Sequence, residues 1–318
     1  MNKTFLYTAI SMAMLSATVS CDNSKSGKGP AAAYENNSAE KASHVIEYTN
    51  LLIDIANQQN DYITRVMENA DKIEKGLKNP SDRFAFFGIF PATYFERSRG
   101  ISKVKADEPV DELSSDDKKF FKEKVASSSK AFTKIQDYYK QLQDYLKAED
   151  YKDDKSVKGL ALVDSIRSST QLLIAEKAVL IKKVNEIADA SEAIVLKDSP
   201  LKDYIIAMKA DLKSVREFVG LMENGGADYN SIKDKADAAY AALEKAYGEH
   251  SQLSLDNAKK EHKDSYYKLF YDRFHEILLE TKKTMRDGAE KGKLTENQVE
   301  NLSRNYDYLI ERYNSFNN

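Results

Sequence analysis

The stretch IRSSTQLLIAEKAVLIKKVNEIADASEAI, residues 166–194, decides the fold class. An aliphatic residue returns every seven positions, at Ile166, Leu173, Leu180, Ile187 and Ile194, with charged and small residues between them. That repeat puts one apolar side chain per two helical turns on a single face, the mark of a helix packing on neighbouring helices. The same spacing recurs on both sides of it. Upstream, a helix opening near Asn37, with Glu40 as the partner in a capping box, carries Tyr48, Leu52, Ile55, Gln59, Tyr62 and Val66, and stops before Asn79-Pro80. A second starts near Ser114 and carries Phe121, Val125, Ser128, Phe132, Ile135, Tyr139, Leu142 and Leu146.

Downstream, Ser199-Pro200 reads as an N-cap followed by proline at the first helical position. The helix it opens carries Leu201, Ile205, Met208, Leu212, Val215, Val219 and Met222 and closes at Gly225-Gly226. An alanine-rich helix over about 230–249 follows, then one over about 256–288 with Tyr267, Phe270, Phe274, Ile277 and Leu278, ending at Gly288. Thr295 and Gln298 cap a last helix with Val299, Leu302, Tyr306, Leu309, Tyr313 and Phe316. The expected architecture is all-α: an elongated antiparallel bundle of about seven helices over residues 38–318, with room for two sub-bundles. Stripes broken by Ser128 and Gln59 argue against a homomeric coiled coil, and no fixed-period repeat points to a solenoid.

Residues 1–20 read as a secretory leader: Lys3, then a short uncharged apolar run, then small residues before Cys21. A transmembrane helix needs about 20 apolar residues, whereas this run is diluted by Thr8, Ser11, Ser16 and Thr18. Thr18-Val19-Ser20-Cys21 resembles the bacterial lipobox, although a leucine is usual where Thr18 stands. Cys21 is the only cysteine, so no intramolecular disulfide is available to it, and acylation at a new N-terminus is the expectation. Residues 21–37 are small and polar and read as a flexible tether reaching roughly 20–25 Å. The expected location is the bacterial cell envelope, lipid-anchored to an undetermined membrane, with the folded part outside the cytoplasm.

Loss of the leader removes one lysine, so the net charge of −3 becomes −4. A near-balanced surface lacks the clustered basic footprint of a nucleic-acid binder. Charged residues make up 31% of a chain with only 12 glycines and 5 prolines, a composition suited to long amphipathic helices.

Residues 79–112 stand apart from the helical pattern. Phe84, Phe86, Phe87, Phe90, Tyr94 and Phe95 crowd there among Gly88, Pro91 and Gly100. Long irregular connections of this kind are often functional. Two readings stay open: a cap that folds over one end of the bundle and buries those rings, or a loop that touches a ligand, a partner or the membrane. Asp272, His275, Glu276 and Glu280 lie at helical spacings, but no second Glu-x-x-His element accompanies them, so they read as a solvated charged face and no metal is expected. Nineteen tyrosines without a tryptophan suit half-buried packing, with an exposed carbohydrate-binding face as the other possibility. No nucleophile elbow, phosphate loop or His-Glu-x-x-His motif is present, and neither catalytic residues nor cofactors are expected.

The leader to Cys21-Asp22, the polar tether, the opening helix with Tyr48, Asn50, Asn57 and Asn60, and the close from Asn305-Tyr306 to Tyr313-Asn314 resemble the YiiG-like bacterial lipoproteins, a family of unknown function. The resemblance implies an all-helical fold and no established activity. The expected role is a lipid-anchored, non-catalytic binding or interaction module, with an envelope protein as partner. The alternative is a small-molecule or ion receptor with a pocket beside the aromatic loop.

Overall fold

The computed structural model describes residues 30–94 and 104–317, and side chains from residue 38 onward. Among the described residues the fold is all-helical, with one isolated β-bridge between Lys105 and Glu108. The helices are α1 (Pro30–Lys78), α2 (Ser115–Lys147), α3 (Val157–Val195), α4 (Lys202–Gly225), α5 (Lys233–His250), α6 (Asp256–Lys260), α7 (Asp264–Lys291) and α8 (Glu296–Asn317), with 3₁₀ turns at Asp150–Lys152 and Gly226–Ser231. They form two compact units, one of His44–Ala190 and one of Ser191–Asn318 together with the described start of α1 up to Ser43.

Several boundaries move from their expected places. Helix α1 begins at Pro30, so residues 30–37 of the expected tether are helical and Asn37 lies inside the helix instead of at its start. Proline suits a first helical turn, and Ala31, Ala32 and Ala33 are the best helix formers available. Helix α4 starts at Lys202, two residues beyond Pro200. Ser199 instead accepts a 3.2 Å hydrogen bond from the Leu201 N–H within a turn. The helix expected over 256–288 divides into α6 and α7, and α7 passes through Gly288 to stop at Gly292, whose φ of +71° ends it in the left-handed region. Gly288 is there for close packing. A Cβ at that position would sit 2.8 Å from Leu294 Cδ2 and 2.9 Å from the Tyr229 ring.

In the first unit α1 and α2 run parallel, because Tyr48 packs on Phe121, Tyr62 on Phe132, and Asn69 bonds Tyr139. Helix α3 runs against both, pairing Arg167 with Asp71, and Lys183 with Asp117. A parallel pair needs a long return connection. Its described parts, residues 79–94 and 104–114, retreat along α1. The Phe90 carbonyl accepts from Asn69, Tyr94 packs on Tyr62, the Ala106 carbonyl accepts from Tyr48, and Glu112 meets His44. The aromatic stretch is therefore part of a strap along the helix, in place of an end cap. At its close Leu113 is buried, and the Ser114 side chain caps α2 by accepting from the Asp117 N–H.

The α3 heptad is buried at Ile166, Leu173 and Leu180, half-buried at Ile187 and exposed at Ile194. A straight α-helix turns a seven-residue repeat by about 20° per heptad, so after four repeats the stripe has left the packed face.

The second unit is an up-down-up-down set of α4, α5, α7 and α8, the antiparallel neighbours the short connections require. Its core includes Met208, Leu212, Phe270, Phe274, Leu309 and Phe316. At its centre lies Asp211, 1% exposed, which accepts from His250 Nδ1 at 2.9 Å and from the Tyr271 hydroxyl at 2.7 Å. Burial raises the pKa of Asp211, and the two donors oppose that rise, so this buried carboxylate is spent on bracing three helices.

Candidate functional site

A cavity of about 690 Å³ lies within the first unit, walled by α1, α2, α3 and the strap. That is the size class of small-molecule sites. Its apolar lining comes chiefly from Leu51, Leu52, Ile55, Val125, Phe132 and Leu180. The space exists because the helix faces that meet there carry small or polar residues where a packed bundle would carry large aliphatic ones. Ala56 and Gln59 stand on α1 and Ser128 and Ser129 on α2. The two residues that broke the sequence stripes, Gln59 and Ser128, thus share one cavity wall.

Two polar groups give the cavity chemical character. Lys177, on α3, is only 6% exposed, and its Nζ donates to the Ala56 carbonyl and to Asn60 Oδ1, each at 2.6 Å. Both acceptors are neutral. Burial away from water disfavours the ammonium and pushes the Lys177 pKa down to about 7, against a smaller opposing pull from the charge of Asp61. The second group is Ser128 Oγ, buried and without a hydrogen-bond partner among the described residues. Such a group costs free energy in an empty site and gains a partner when a polar ligand arrives.

Of the six aromatic residues singled out in the sequence, Tyr94 alone is a wall residue of this cavity, its ring packed edge-on against Tyr62 and Phe132. Phe86 is half-buried against Tyr151. Phe84, Phe87 and Phe90 point outward, 58%, 81% and 73% exposed, with Arg83 over the Phe84 ring and Lys72 over Phe90. Phe95 and Cys21 lie outside the described residues. Sequence reading missed Lys177, which sits between Glu176 and Ala178 and has the look of a solvated face.

On α7, Asp272 is exposed, His275 stacks on Tyr247, Glu276 pairs with Arg273, and Glu280 accepts from Asn305. Those four side chains are thus turned to separate tasks. Among the described residues no group of three or more His, Cys, Asp or Glu could hold a metal ion. None of the described helices is long and apolar enough to cross a membrane.

The sequence matches no protein-family profile and no curated protein. Among solved structures it is similar to an alpha helical protein from Bacteroides fragilis, at 18% identity and TM-score 0.49, covering 86% of this chain and 98% of that one. It is equally similar to an uncharacterized DUF3829-like protein from Bacteroides thetaiotaomicron, at 17% identity, TM-score 0.49 and the same coverage. Likeness this remote transfers no function.

Proposed function

We propose that this chain is a lipid-anchored protein of the bacterial envelope whose first helical unit is a non-catalytic receptor for a small, largely apolar molecule. The observation that carries the receptor reading is the cavity whose apolar wall is interrupted by a buried lysine and a partnerless serine. Apolar walls with a few convergent polar groups are how proteins hold and orient small ligands. Titration with the neutral dye Nile red tests it: saturable fluorescence should be lost in Ser128→Leu, which fills the cavity from α2. Unchanged binding in that variant would remove the cavity from consideration.

The anchor rests on the leader and the lone Cys21. The resemblance to YiiG-like lipoproteins supports the same reading. Radioactive palmitate should label the wild type and leave Cys21→Ala unlabelled. Exposed Phe84, Phe87 and Phe90 favour a second role as a contact for an envelope partner. Crosslinked partners should then be lost when all three become serine.

A further inference from the structure

We infer that the molecule held in the first unit is a long-chain monocarboxylate, its carboxylate seated on Lys177 and Ser128 and its hydrocarbon chain against the aliphatic wall. This rests on the receptor reading above and names the class of ligand. Three observations carry it.

First, Lys177 is a buried amine with no carboxylate at hydrogen-bond distance among the described residues, and only the more distant Asp61 favours its charged form. Its hydrogen bonds go to a backbone carbonyl and a side-chain amide, both neutral, and use two of the three donors of an ammonium. A buried charge is ordinarily paired. Second, Ser128 Oγ has no partner among the described residues and can donate to an anionic oxygen, and it lines the same cavity. Third, the other polar residues contributed by α1 and α2 are uncharged: Gln59, Ser129, Thr133 and Gln136. The charged groups around Lys177 are Asp61 on α1, whose field it feels, and Lys105 and Asp107 on the strap, where Lys105 is ion-paired with Glu108. Among the described residues, the charged residues lining the cavity are Lys105, Lys177 and one carboxylate, Asp107. A simple alcohol would satisfy Ser128 and leave the cation unpaired, and an alkylamine would set two cations together.

The inference has a proton signature. With Lys177 pushed down to about 7, the free protein at pH 8 holds most of this side chain as neutral amine. A bound carboxylate favours the ammonium and draws in a proton, about 0.9 per ligand at that pH.

The experiment compares dodecanoate, dodecanol and dodecylamine by isothermal titration on the full chain carrying Cys21→Ala, which has no acyl group of its own to compete. Dodecanoate should bind at least tenfold more tightly than dodecanol. Repeating its titration at pH 8 in buffers of different ionisation heat should reveal the proton uptake. Lys177→Met should abolish both the preference and the uptake while dodecanol binding persists. Ser128→Ala should weaken dodecanoate severalfold, which keeps the test decisive if Lys177→Met does not fold. Equal binding of dodecanoate and dodecanol without proton uptake overturns the carboxylate inference and leaves the receptor reading standing. A preference for dodecylamine does the same. Binding of none of the three, with Nile red also unaffected by Ser128→Leu, overturns both.

Discussion

Replacing Lys177 with methionine should change how the stability of the protein depends on pH, and the structure sets both sign and size. An ordinary lysine titrates near 10.5, whereas burial holds Lys177 at about 7. Between those values the unfolded chain binds a proton that the folded chain has released. Stability of the wild type therefore rises with pH through this window and is lowest below about 7, where both states are protonated. The full gap corresponds to about 5 kcal/mol, a slope of about 1.4 kcal/mol per pH unit. Methionine has similar length and no charge, so Lys177→Met lacks this dependence. Urea unfolding followed by helical circular dichroism at pH 6, 7, 8 and 9 provides the assay. The variant should be the more stable at pH 6. By pH 9 the wild type should have gained on it by about 2–3 kcal/mol. Other titrating groups, including Tyr48 and Tyr145, whose pKa values burial raises, are shared by both proteins and cancel in the difference. A difference that stays constant within about 0.5 kcal/mol from pH 6 to 9 would show that Lys177 keeps an ordinary proton affinity and would refute the burial argument.

Arg167 joins α3 to α1 through Asp71 at 2.6 Å and Glu74 at 2.5 Å, and Arg167→Ala should cost about 2 kcal/mol at pH 7 in chemical denaturation. Hydrogen bonds from Arg167 and Lys78 hold the Glu74 carboxyl down at about 2 against an ordinary 4.5. Its stabilisation is present above 4.5 and lost as pH falls toward 2, so acid melting curves of Arg167→Ala should fall less steeply over that range than those of the wild type. Gly288→Ala forces a methyl into Tyr229 and Leu294 and should lower stability by about 1–3 kcal/mol, read as a shifted thermal midpoint. Phe87→Ser should leave stability within about 0.5 kcal/mol of wild type, whereas Phe86→Ala, which strips the ring packed on Tyr151, should cost at least about 2 kcal/mol.

The helices were legible because burial on one helical face leaves a periodic trace. All eight residues in the α2 stripe from Phe121 to Leu146 face the core except Leu146, which is half-buried beside buried Tyr145. The ends were less legible. Asn37 and Glu40 have the spacing of a capping box in the sequence, yet the helix already runs through the three alanines before them, and a local cap cannot stop a helix whose preceding residues also favour it. The candidate site was visible only as two defects. Gln59 and Ser128 are 69 positions apart, and nothing local tells that they face one space. Lys177 carried no signal at all, since a lysine beside a glutamate is the ordinary dress of a solvated helix.

By itself, then, the amino-acid order determined that the described chain is helical, which side of most helices is apolar, and that residues 79–112 depart from that pattern. Those are consequences of local periodicity and of proline and glycine geometry, readable within a few turns. Tertiary structure alone decided that α1 and α2 run parallel, that the aromatic stretch straps back along α1 with Phe86 and Tyr94 turned inward and Phe84, Phe87 and Phe90 outward, and that Lys177 is buried. The proton affinity of Lys177 depends on how much water is removed around its Nζ, and that is set by side chains more than 100 positions away on α1, brought there by the crossing of α3.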